Sequence, residues 1–186
     1  MPHAALPPER AAALDLLTSR HSVGPKHLGE PGPSDVELRH AIAAALRAPD
    51  HGKRVPFRFV VVREAGLERL AELFVDYGRR CGKDEAELAM ERTRAVQAPV
   101  VITVIARVAG DEEVPAHEQW IAVGGALHIQ GYGAKMLSGL RAADPQIVRA
   151  FCRDGETLVG WISAGTPARR PQARMVDDVD ALISRL

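Results

Sequence analysis

The sequence predicts an α+β sandwich with helices on both sides of one small sheet. Three observations predict it. Amphipathic helical stretches outnumber strand-like runs, the strand-like runs are short and far apart, and the two kinds do not alternate strictly. That last point disfavours a doubly wound nucleotide fold. The 186 residues suffice for one domain with a substantial core. Residues 1–186 are read as that domain, with 1–9 as a flexible N-terminal segment.

A first helix fits residues 8–19, where Ala11, Leu14 and Leu17 recur at helical spacing. A polar, glycine-containing segment follows at 20–26, and Glu30-Pro31-Gly32-Pro33 must be loop. Ser34 with Glu37 reads as a capping box opening a helix that turns Ile42, Ala45 and Leu46 inward. Pro49 ends it, because the residue before a proline is pushed out of the helical region. Residues 57–62 read as a short buried strand. Residues 66–77 form an amphipathic helix with Leu67, Leu70, Ala71 and Phe74 on one face, and 84–96 a more charged one. The β-branched run 99–106, PVVITVIA, is the strongest strand signal and is expected at the centre of the sheet. A turn is expected at Gly110-Asp111.

Residues 116–136 read as one long helix rich in glycine and alanine. Glycine weakens a helix by about 1 kcal/mol relative to alanine, so several together imply that something packs close to the backbone. A short helix at 145–151 and a third strand at 157–164 complete the order. From Gly165 the tail is expected to be irregular and basic, then acidic and short-helical.

Composition excludes several function classes. The net charge is zero and the pI is about 7.1, which leaves no electrostatic footprint for nucleic acid. No apolar run reaches membrane-spanning length, and MPHAALPPER lacks the pattern of a signal peptide, so a cytoplasmic location is expected. Cys81 and Cys152 cannot build a disulfide framework. There is no GxSxG nucleophile elbow and no P-loop. Gly131-Tyr132-Gly133 starts a GxG, but Met136 stands where the third glycine belongs. The histidines are scattered without paired metal-ligand spacing, so no metal site is predicted.

Three constellations remain. In Arg20-His21-Ser22, with Lys26 nearby, a guanidinium and a hydroxyl could grip a phosphate dianion. The alternative is a solvated helix C-terminus, where basic residues suit the dipole. Arg47-Ala48-Pro49-Asp50-His51 closes a helix just before a buried strand, as either a functional loop or a capping turn. Thr166-Pro167-Ala168-Arg169-Arg170 could complete an anion site, or be a basic surface tail.

In order and spacing these segments resemble the FMN-dependent nitroreductase family, its short single-domain branch in particular. Arg20-His21-Ser22 after the first helix is similar to the family's flavin segment. Arg47-Ala48-Pro49-Asp50-His51 followed by Pro56-Phe57-Arg58-Phe59-Val60-Val61 resembles its RAPDH…PW-x-F-x-VV pattern. Ala98-Pro99, Val114-Pro115…Glu118-Gln119 and Gly165-Thr166-Pro167 match further along.

The resemblance implies a nitroreductase-like α-β-α sandwich, a central mixed sheet flanked by helices, and a domain-swapped homodimer. FMN would lie at the dimer interface, reduced by NADH or NADPH in a ping-pong cycle that ends on a small-molecule electron acceptor. A nitroaromatic, a quinone or a related electrophile would fit. Arg20, His21 and Ser22 would hold the FMN phosphate and ribitol, and Lys26 the N1/O2 edge of the flavin. Arg47 and His51 match flavin-contacting positions, and Arg169 and Arg170 are further phosphate candidates. No protein acid or base is required, since the cofactor carries the hydride chemistry. The segment 133–138 matches a region implied in NAD(P)H contact.

The chain departs from the family's pattern in two places. Residues 138–144 stand where the family carries a tryptophan-containing loop that lines the flavin; the loop is several residues short, and Arg141, in place of the loop arginine, is a further cofactor-binding candidate. Pro56-Phe57 replaces Pro-Trp. The shortened loop leaves a second reading: a dimeric, non-catalytic flavin- or ligand-binding relative.

Overall fold

The computed structural model describes residues 6–48, 57–107, 117–168, 178 and 180–184. Its centre is the predicted β-branched run. Strand β3 (Val100–Arg107) lies between β2 (Phe57–Arg63) and the long β5 (Glu156–Pro167), antiparallel to both. Val100, Ile102, Val104 and Ala106 face one buried layer while Val101 and Ile105 face the other. A strand buried on both faces needs a continuous apolar run rather than an alternating one, and that is what the sequence supplies.

Two helical layers cover the sheet. On one face, α2 (Asp35–Ala45) packs with α5 (His117–Ile129) over Ile102, Val104, Ile162 and Ala164. On the other, α3 (Ala65–Arg80), α4 (Glu85–Val96) and α6 (Pro145–Phe151) cover Val101, Ile105, Leu158 and Trp161. Helix α1 (Pro8–Thr18) lies outside both layers and buries none of its residues, so Leu14 and Leu17 face outward. Pro8 and Glu9 open that helix. The predicted capping box of Ser34 with Glu37 begins α2, and a second one, Asp84 with Glu87, begins α4.

Four expectations change. Helix α2 buries Leu38, Ala41 and Ala45; Ile42 is half-buried and Leu46, at the C-cap, is exposed. The glycine-rich helix stops at Ile129 instead of running to Met136. Gly131, at φ +92°, ends it, and residues 133–137 become the edge strand β4 (Gly133–Leu137), whose backbone groups pair with β5. Helical periodicity could not reveal this, because β4 gains its partner from far along the chain. Strand β5 runs on through Gly165 to Pro167, where the two-residue β1 (Leu28–Gly29) pairs with its end. Finally, the sheet is not mixed: every pairing among the described residues is antiparallel. The expected turn at Gly110-Asp111 lies outside the described residues.

One irregularity sets the site's geometry. Val104 pairs with Gly160 and Ile105 with Leu158, so Val159 is the extra residue of a β-bulge. The bulge changes which face the alternation serves, putting Leu158 and Trp161 on the same side. Gly160 sits at φ +155°, and a Cβ there would lie 2.4 Å from the Leu137 carbonyl oxygen. Only glycine lets β4 and β5 approach this closely.

Candidate functional site

The segment after α1 leaves the helix at Ser19 and crosses the free edge of β4. Its anchor is the Val23 N–H, which donates to the Ala134 carbonyl at 3.0 Å. Val23 is buried with Leu28 and Ala98. Gly133 makes the approach possible, since a Cβ there would meet Leu28 at 2.7 Å and Val23 at 3.0 Å. The chain then turns through the 3₁₀ segment Pro25–His27 into β1.

This crossing places the predicted residues at two levels. Arg20 and His21 lie beside α5. His21 Nδ1 donates to the Ser19 carbonyl at 2.9 Å, and its ring meets His128 edge-on at 5.9 Å. His128 Nε2 is 3.1 Å from Ser19 Oγ. Burial, then the nearby His21 and Arg20, hold the His128 imidazole below its usual pKa. Lys26 lies on the 3₁₀ segment at the far end of the crossing.

The side chains of Arg20, Ser22 and Lys26 make no hydrogen bond or ion pair among the described residues, and His21 Nε2 is buried without a partner. Two unpaired cations and a hydroxyl on seven consecutive residues are a donor set for an anion, and the free His21 Nε2 beside them is an acceptor for a hydroxyl. An FMN phosphate fits that chemistry.

The end of β5 lies beside them. Arg169 and Arg170 lie outside the described residues, but their neighbour Ala168 donates its N–H to the His27 carbonyl at 2.9 Å. Thr166 Oγ1 also donates to the Pro31 carbonyl at 2.7 Å. Arg47 is exposed just past α2, with no side-chain partner among the described residues; His51 lies outside them. Helix α2 is fixed to the α5–β4 corner: Tyr132 donates its hydroxyl to Glu37 at 2.9 Å and Gln130 donates to the Glu37 carbonyl at 3.1 Å.

Arg141 stands apart from the other candidates, in the helical layer opposite α5. It sits in a 3₁₀ turn (Leu140–Ala143) and donates to both oxygens of Glu91, at 3.0 and 3.2 Å. Its guanidinium lies 5.1 Å from the centre of the Phe74 ring. Glu91 is wholly buried and also accepts from Lys83 and, at 2.6 Å, from Arg94. Sequence reading missed this cluster, although a signal was present: Glu91 falls on the buried stripe Leu88-Glu91-Ala95 of an otherwise charged helix.

Beside the cluster is a cavity of about 190 Å³. Pro25, Leu137 and Ser138 connect it to the β4 edge, Arg94, Gln97 and Arg141 give it polar groups, and Phe74 and Trp161 form an aromatic wall. Those two rings pack edge to face, 5.3 Å apart.

The profile of the Nitroreductase family matches residues 17–166, from the end of α1 to the end of β5. YdjA of Escherichia coli (strain K12), which carries an NAD(P)H nitroreductase designation, is 32% identical over 163 residues, covering 83% of this chain and 88% of its own. The fold is similar to a BluB-like flavoprotein from Clostridium difficile 630, with TM-score 0.73 and 16% identity over 94% of this chain and 98% of that one. It is also similar to a nitroreductase with bound FMN from Desulfitobacterium hafniense DCB-2, with TM-score 0.67 and 21% identity over 93% and 97%. With the profile spanning the Arg20–Lys26 segment, the edge strand it crosses and the strand that meets it, the chain belongs to the Nitroreductase family.

Proposed function

We propose that the protein is an FMN-dependent oxidoreductase that takes electrons from NADH or NADPH and passes them, in a ping-pong cycle, to a nitroaromatic, quinone or related electrophile. The observation that carries this reading is the unpartnered Arg20-His21-Ser22-Lys26 set fixed on the β4 edge of a Nitroreductase-family chain. FMN, when bound, supplies the ring that accepts and donates hydride.

The chain's own residues bind and orient. Arg20 and Ser22 hold the phosphate with a charge-assisted fork and a hydroxyl, and the free His21 Nε2 accepts from a ribitol hydroxyl. Lys26 places a cation at the electron-rich edge of the flavin, where negative charge grows on reduction. Arg169 and Arg170, which follow Ala168 in the sequence, are further phosphate ligands in this reading, supported by the Ala168 N–H on the His27 carbonyl. The apolar wall of the cavity, Phe74 and Trp161, keeps water from the reacting face.

Arg47 and His51 add further contacts to the flavin. The outward-facing Leu14 and Leu17 of α1 and Ile121 and Ile129 of α5 support a homodimer: they are exposed apolar side chains on neighbouring helices. Among the described residues no helix is long and apolar enough to cross a membrane, which fits a cytoplasmic enzyme. Titrating FMN into the protein and following the loss of flavin fluorescence tests the reading. Saturable binding with one FMN per chain is expected; no binding would reject it.

A further inference from the structure

The cavity beside β4 carries more positive charge than its buried carboxylate can balance. Glu91 is ion-paired to Lys83, Arg94 and Arg141, and none of these cations pairs with another acid among the described residues. Three cations against one carboxylate leave a surplus of two positive charges. Arg94 and Arg141 both line the cavity, so the surplus faces it. The Arg141 side chain is only 28% exposed, which limits its solvation by bulk water. The cavity also has an aromatic wall, where the Arg141 guanidinium lies 5.1 Å from the Phe74 ring centre. Trp161 lines it, is 4% exposed, and has an indole N–H with no partner among the described residues. A buried N–H of this kind ordinarily finds an acceptor.

We infer that this cavity receives the electron acceptor and selects an anionic one: a small aromatic acid. Its carboxylate lies against Arg94 and Arg141 and its ring against Phe74 and Trp161. Glu91 is a positioning residue. It fixes both guanidiniums before the ligand arrives, so little side-chain freedom remains to be lost on binding. The assignment as an acceptor site rests on the flavin reading above; the preference of the cavity for an anion does not.

Two measurements on the full chain separate those parts. Calorimetric titration with benzoate and with its neutral isostere benzamide, without reduced nucleotide, reads the cavity directly. Benzoate is expected to bind about tenfold tighter or more, less so as salt rises, with the ratio collapsing in Arg94→Gln and partly restored in Arg94→Lys. On FMN-loaded protein, 4-nitrobenzoate is expected to exceed 4-nitrobenzamide in kcat/KM, through KM, and Arg94→Gln to erase that difference. Arg94 is half-exposed and Glu91 keeps two other cations, so the variant retains its fold.

Equal binding of the two isosteres, or a ratio untouched by Arg94→Gln, overturns the inference. Protein that is yellow and reduced by NAD(P)H but shows no anion preference overturns this inference alone. Protein that refuses FMN yet prefers benzoate through Arg94 supports the anion cavity and overturns only its role as an acceptor site.

Discussion

Arg141 and Glu91, fifty positions apart, meet through one guanidinium nitrogen at 3.0 and 3.2 Å from the two carboxylate oxygens, and Glu91 is wholly buried. The pair joins the turn after β4 to the second helical layer. Glu91→Gln keeps the shape but leaves three cations around a neutral amide. Breaking a buried ion pair from one side costs about 3–5 kcal/mol. Urea unfolding should show a loss of that size. A loss below about 1 kcal/mol would mean the cations are solvated rather than held.

Acid should expose a second pair. Arg58 donates through Nε at 2.8 Å and Nη2 at 2.5 Å to the two oxygens of Glu156, whose side chain is 3% exposed. The hydrogen bonds from Arg58 outweigh burial and lower the Glu156 pKa from 4.5 to about 2. Since the folded value lies below the unfolded one, this stability is present above pH 4.5 and is lost as pH falls toward 2. At 1.36 kcal/mol per unit the pair contributes on the order of 3 kcal/mol. Glu156→Gln should flatten the stability profile between about pH 4.5 and 2. An equally steep acid limb in the variant would contradict the assignment.

Two glycines should respond in opposite ways. Gly160→Ala places a methyl group against the Leu137 carbonyl oxygen at a backbone angle side chains avoid, so a loss of about 2–4 kcal/mol is expected in thermal unfolding. Gly125 has nothing within 4 Å of its would-be Cβ and lies between the exposed Ile121 and Ile129 on α5. Gly125→Arg should leave the fold intact and yield monomers in sedimentation. Intact dimers would place the partner elsewhere.

Arg20→Ala should weaken FMN binding by about 1.5–3 kcal/mol, the contribution of a charge-assisted hydrogen bond. Ser22→Ala should cost less. Fluorescence titration reads both, and an unchanged Kd in Arg20→Ala would remove Arg20 from the phosphate site.

What the sequence made legible follows physical lines. The strand at 100–107 and the capped start of α2 were readable because burial on both faces and a capping box leave local patterns. Strand β4 was not, because its partner lies some thirty residues on and Ala134, Lys135, Met136 and Leu137 are all good helix formers. The candidate segment Arg20-His21-Ser22 could be singled out by residue type, but its seat on the β4 edge depends on Gly133. The Glu91 cluster assembles from α4, the α3–α4 hinge and the turn at Arg141. Only Glu91's place on a buried stripe hinted at it.

The most direct measurement is the absorbance spectrum of FMN-loaded protein before and after anaerobic addition of NADH or NADPH. The account predicts a protein-bound flavin band near 450 nm, bleached by the nucleotide and restored by a nitroaromatic or quinone. A protein that binds no flavin, or whose bound flavin neither nucleotide reduces, would contradict it.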